Sequence, residues 1–178
     1  MNINKILTIL VLNFSIINIV SAESKKSQTI TCDLVKNPKY REEILRKINN
    51  IRSKPQVCGN IQYTPTHYLK WNNILYKSAE IQAKDNLKQK RINHVDQLGN
   101  NLKTRMLQAG YMGNAGAENL ASGQKNMDEA LMNWLKLSPT HCNTLMDDRY
   151  TDYAISCVTD KQTKRTYWVQ HFGRTTLY

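Results

Sequence analysis

The chain has little glycine or proline, 7 and 4 residues in 178, and no internal repeat, low-complexity tract or linker interrupts it. With 40% hydrophobic side chains, it fits one globular domain with a sizeable core and needs no second one. No apolar run reaches the roughly 20 residues of a membrane span. The longest, Ile6 to Val20, is broken by Asn13, Ser15 and Asn18, follows a single early Lys5, and leads into Val20-Ser21-Ala22. That small-residue pattern suits signal peptidase, so residues 1–22 are expected to be a signal peptide. The mature domain, 23–178, would be secreted or periplasmic and not an integral membrane protein.

No C-x-x-C occurs, which argues against a cysteine-based metal cluster. The four cysteines, Cys32, Cys58, Cys142 and Cys157, are an even number suited to two disulfides in an oxidising compartment. Three pairings exist on paper. Cys32–Cys58 and Cys142–Cys157 are the expected ones, because each pair flanks one local unit, a helix in the first case and a helix-to-strand passage in the second. No G-x-S-x-G elbow supports a serine nucleophile, and paired cysteines leave no thiol for that role.

Acids are few as well, 14 against 25 lysines and arginines, a formal charge of +11. Loss of residues 1–22 removes only Lys5 and leaves +10. Such a charge favours anionic partners such as lipid head groups or acidic envelope polymers. The basic residues, for example Lys84, Lys88, Lys90 and Arg91, carry no interleaved aromatics and no nucleic-acid motif. They read as a solvated basic face, and nucleic acid is not an expected partner.

What is present is a run of helices followed by strands. Tyr40, Ile44, Ile48 and Ile51 recur at helical spacing after Asn37-Pro38, which predicts a helix over 38–53. Leu75, Ala79, Ala83 and Leu87 predict a second over 72–88. Leu102, Met106 and Ala109 predict a shorter third, stopped by Gly110. A fourth runs from Met127 to about Leu137, with Asn126 and Glu129 placed to form a capping box. Ser138-Pro139 opens a short helix containing His141. After Asp147-Asp148 the period changes to two: TDYAISCV and TYWVQHF read as an antiparallel hairpin. Helices around a small antiparallel sheet make an α+β sandwich.

The stretch GNAGAENLASG, residues 113–123, surrounds the lone acid Glu118 with small side chains. Together with IxxIRSKPxVCG (48–59), LKWNxxL (69–75), NHVD (93–96), RMxxAGY (105–111), SPTHCNTLM (138–146) and YWVQHFG (167–173), its AENLASG portion resembles the CAP superfamily. That superfamily comprises the cysteine-rich secretory proteins, antigen 5 and the pathogenesis-related 1 proteins, and the likeness is greatest to its bacterial SCP-like branch.

The resemblance implies a three-layer α-β-α sandwich and a cleft where two histidines and two acids converge. His94 in NHVD, Glu118 in AENL and His141 in SPTH match three of those four. At the place of the second acid, three residues after Trp134, this chain has Leu137, and its WLKLSP segment is one residue longer than the bacterial pattern. Ala117 and Thr140 also replace family glycines.

Two imidazoles and a carboxylate are a ligand set that suits a divalent metal such as zinc, with His94 and His141 as metal ligands alongside Glu118. No cofactor is required by the pattern, and no catalytic residue can be named. The expected function is a non-catalytic module that binds a ligand or partner through this cleft. The alternative is a metal-dependent, protease-like hydrolase using the same residues. His67 is expected in a surface loop, and His171 as a packed, hydrogen-bonded strand residue.

Overall fold

The computed structural model describes residues 27–175, so the expected signal peptide and its cleavage site lie outside the described residues. Four strands form the central sheet: β3 (Lys70–Trp71), β4 (Gly113–Ser122), β5 (Asp152–Thr159) and β6 (Thr166–Thr175). Their spatial order is β3-β5-β6-β4. β5 and β6 are the predicted hairpin, Thr159 opposite Thr166, while β3 runs parallel to β5. The turn of the hairpin is held by Asp160, whose Oδ1 accepts the amides of Gln162 and Thr163.

The alternation read from the sequence sorts side chains onto two faces, and both are buried. On one, Tyr153, Ile155, Cys157, Trp168 and Phe172 meet Ile44, Ile48 and Trp134. These come from α2 (Arg41–Arg52) and α5 (Met127–Leu137), with α1 (Cys32–Val35) and α6 (Pro139–Met146) completing that layer. On the other face, Leu120, Val158 and Val169 meet Ala79 and Ala83 of α3 (Asn73–Gln89). The short α4 (Leu102–Ala109) packs beside α3. Three layers result, helix, sheet, helix. A separate two-stranded hairpin, β1 (Gln56–Cys58) and β2 (Ile61–Tyr63), lies at the edge of the molecule.

Local chemistry sets the helix ends. Asn72 accepts the amides of Ile74 and Leu75, Asn101 that of Thr104, Asn126 that of Glu129 and Ser138 that of His141. Gly110, at φ 94°, closes α4 in the left-handed region, where a side chain would be strained. The predicted 38–53 helix begins as one 3-10 turn, Pro38–Tyr40, before α2. Glu129 reaches one residue further back than a standard capping box: its carboxylate accepts the amide of Lys125. Beside β4, Tyr111 lies against Gly113 and Gly173, where an added Cβ would overlap its ring, and its hydroxyl donates to Asp152 at 2.6 Å.

The disulfide pairing expected from the sequence is wrong. Cys32 is joined to Cys157 and Cys58 to Cys142, at Cα separations of 4.9 and 5.3 Å. The reason is topological. Cys157 lies in the second half of β5 and points into the layer where α1 rests on that strand, whereas Cys142 on α6 faces the β1–β2 hairpin. Chain-neighbouring cysteines therefore belong to different contacts, and each bridge joins distant parts of the chain, with sequence separations of 125 and 84.

Candidate functional site

Small residues on β4 let neighbouring elements close around Glu118, whose side chain is only 2% exposed. A buried carboxylate is costly unless its charge and lone pairs are satisfied. Here three donors satisfy it. The register of the sheet places Glu118 opposite His171, and His171 Nε2 donates to Glu118 Oε2 at 2.8 Å. Arg105, projecting from α4 and fully buried, donates to the same oxygen at 2.7 Å. His94, in the segment between α3 and α4, contacts Oε1 through Nδ1 at 2.7 Å.

Arg105 also ties that segment down, donating to the carbonyls of His94 and Asn100. Burial alone would raise the Glu118 carboxyl. The hydrogen bonds from His171 and His94, helped by the charges of His171 and Arg105, outweigh it and hold the group at about 2.

The two expected cleft histidines differ. The His94 ring is 63% exposed, and its bond to Glu118 raises its pKa above the ordinary value against the opposing effects of burial and the Arg105 charge. With Nδ1 committed to Glu118, Nε2 is the nitrogen left for a ligand. His141 lies in the first turn of α6. Burial lowers its pKa, and the charge of His94 lowers it further, so the two rings are within electrostatic reach. Its Nδ1 is buried with no hydrogen-bond partner. Asn119, the residue after Glu118, donates to the His141 carbonyl at 3.2 Å and links α6 to the sheet.

A family model for the cysteine-rich secretory proteins matches residues 45–172. The chain belongs to the CAP family. Its fold is similar to that of an outer surface protein from Borrelia burgdorferi, with a TM-score of 0.65 at 19% identity, covering 85% of this chain and 100% of that one. It is also similar to an extracellular SCP-domain protein from Bacillus anthracis str. Ames, with a TM-score of 0.64 at 23% identity, covering 84% of this chain and 45% of that one. BmVAL-1 follows with a TM-score of 0.53 at 14% identity and 78% of each chain covered. No curated protein matches.

In this CAP domain the site differs from the one read in the sequence by two residues, Arg105 and His171. His171 is packed and hydrogen-bonded as expected, yet its partner is the site carboxylate. Arg105 carried one signal: a lone arginine next to Met106 in the apolar stripe of a short helix. Leu137, at the position of the family's second acid, is 75% exposed and brings no oxygen. His67 is exposed, as expected, and its carbonyl accepts from the buried Arg52.

The donor set bears directly on metal binding. Both oxygens of Glu118 are engaged, and among the described residues no group of three or more His, Cys, Asp or Glu is disposed to hold an ion. A three-ligand metal centre does not fit this arrangement. The arrangement places two imidazoles within electrostatic reach of each other, one of them fixed by a carboxylate.

Proposed function

We propose that this CAP domain is exported and acts as a non-catalytic binding module, with His94 and His141 as the groups that meet the ligand. The observation that carries this reading is the full engagement of Glu118. A general base needs a free oxygen within reach of the proton it removes, and Glu118 has given both of its own to Arg105, His171 and His94. Its role is to hold the His94 ring with Nε2 outward. Two disulfides and the Val20-Ser21-Ala22 pattern support export. Among the described residues no helix is long and apolar enough to cross a membrane.

His94, whose Nδ1 is held by Glu118, meets the ligand through Nε2, and the half-buried His141 ring faces it from α6. Divalent metal is a weaker ligand in this scheme, held by the two imidazoles alone. Calorimetry with zinc chloride and with sodium phosphate tests both chemistries. Binding of either probe should be lost in His94→Ala and His141→Ala and kept in His67→Ala. Zinc-stimulated peptide hydrolysis by the mature protein, abolished in a folded Glu118→Gln variant, would overturn the reading in favour of the hydrolase.

A further inference from the structure

The positive charge that the sequence left as a solvated face is organised in the fold. On α3 the exposed positions follow one helical stripe, Ile74, Lys77, Ile81, Lys84 and Lys88, so apolar and cationic side chains alternate along it. Ile74 and Ile81 are 36% and 44% exposed. The segment that follows, residues 90–101, continues the pattern with Arg91, Ile92, Val95 and Leu98, and Leu98 is 86% exposed.

This segment is fastened to the helix. Gln82 Nε2 donates to the Asn93 carbonyl, Asn93 donates its amide to Asn86 Oδ1 at 3.1 Å, and Gln97 its amide to Asp85 Oδ1 at 3.2 Å. Asp85 stands one turn from Ile81 and three residues from Lys88, so the loop adjoins the exposed stripe. Its turn is held from within as well, Asp96 accepting the amides of Leu98 and Asn100. The leucine and isoleucines are thus held outward rather than turned in.

Cations outnumber acids around them: Lys77, Lys84, Lys88 and Arg91 stand against Glu80, Asp85 and Asp96, and Lys84 pairs with Glu80 at 3.0 Å. Lys77, Lys88 and Arg91 have no ion-pair partner among the described residues. We propose that this face docks on an anionic lipid bilayer, the cations meeting head groups while Leu98, Ile81 and Ile92 enter the interface.

Charge alone would also suit a soluble polyanion, and the aliphatic residues decide between the two. A hydrated polymer gives exposed Ile and Leu side chains no apolar surroundings, and these residues include no aromatic ring for stacking on a base or sugar. The boundary between head groups and acyl chains accommodates both kinds of side chain at once. The proposal uses the side chains of Leu98, Ile81, Ile92 and the lysines and not the cleft nitrogens, so it stands without the binding reading above.

Sedimentation of the mature protein with vesicles tests it, using phosphatidylcholine alone and a 7:3 mixture with phosphatidylglycerol in roughly 0.1 M salt. Binding is expected only to the mixed vesicles. Leu98→Ser should weaken it about fivefold, from the lost apolar contact. The double variant Lys84→Gln/Lys88→Gln should weaken it about tenfold or more. Lys136→Gln, on α5 in the opposite helix layer, should change nothing.

All substitutions are at exposed positions, and unchanged melting temperatures check that the fold is kept. Absence of binding to mixed vesicles overturns the proposal. So does a Leu98→Ser variant that binds like wild type while soluble polyphosphate competes fully, which marks the face as a polyanion surface. An equal loss in Lys136→Gln also overturns it, because the attraction would then belong to the overall charge.

Discussion

Replacing Glu118 with Gln keeps the shape of the side chain and one acceptor oxygen but removes the charge that Arg105 faces. Arg105 is 0% exposed and retains only the carbonyls of His94 and Asn100. Breaking a buried ion pair by removing one partner costs about 3–5 kcal/mol. The acid's own titration leads to a similar figure. A carboxyl held at about 2 against an ordinary 4.5 contributes roughly 3 kcal/mol at neutral pH.

A depressed carboxylate stabilises the fold above its unfolded-state pKa, and that contribution is lost as pH falls through the folded one. The penalty of Glu118→Gln should therefore be full at pH 7 and shrink as pH drops from about 4.5 towards 2. At pH 7 a domain of this size should lose roughly 6–20 °C in melting temperature. Urea titrations of both proteins at a series of pH values between 7 and 3 measure the difference directly. Asp96, Asp147 and Glu43 also have lowered pKa values, so wild type alone will lose stability in acid for several reasons. Taking the difference isolates Glu118. A penalty below about 1 kcal/mol at pH 7, or one that does not change with pH, would refute the picture of a charged, triply held carboxylate.

The histidines should separate in an NMR titration, His94 with a midpoint above 6.5 and His141 with one below it, and Glu118→Gln should bring His94 down. In His94→Ala the His141 midpoint should rise, and a static value would mean the rings do not sense each other. Mass mapping of the oxidised protein should recover Cys32–Cys157 and Cys58–Cys142 peptides, and Cys32→Ser/Cys157→Ser should cost on the order of 4–5 kcal/mol by loop-closure entropy, read from urea midpoints. Gly173→Ala should drive a methyl into the Tyr111 ring and cost about 1–3 kcal/mol, while an unchanged melting curve would show that the ring can move aside.

The helices were legible because their ends and faces are local facts: Asn126 and Ser138 cap them where the sequence suggested, and the apolar stripes of α2, α3 and α5 are the buried ones. The β5–β6 hairpin was legible for the same reason, its period changing at Asp147-Asp148. Glu118, His94 and His141 were found through motif resemblance, because sequence separations of 24 and 23 leave no local spacing to read. What escaped depends on register and layer. His171 joins the site only because β4 and β6 pair with Glu118 opposite it. Arg105 joins because α4 lies across that pair, and the cysteines couple across layers rather than along the chain. None of these relations is a property of neighbouring residues.

The Cys58–Cys142 bridge has a bearing on how the cleft meets ligands of different size. His141 stands next to Cys142, so its helix is covalently anchored to the β1–β2 hairpin, with Gly59 packed against Pro139 at the helix start. His94 rides on a segment fastened by hydrogen bonds alone. On the binding reading proposed above, the site has one side fixed covalently and one held by hydrogen bonds. Any widening needed to admit a bulkier group falls to residues 90–101, which also carry Leu98, so a contact made at that loop tip would be felt at the His94 ring.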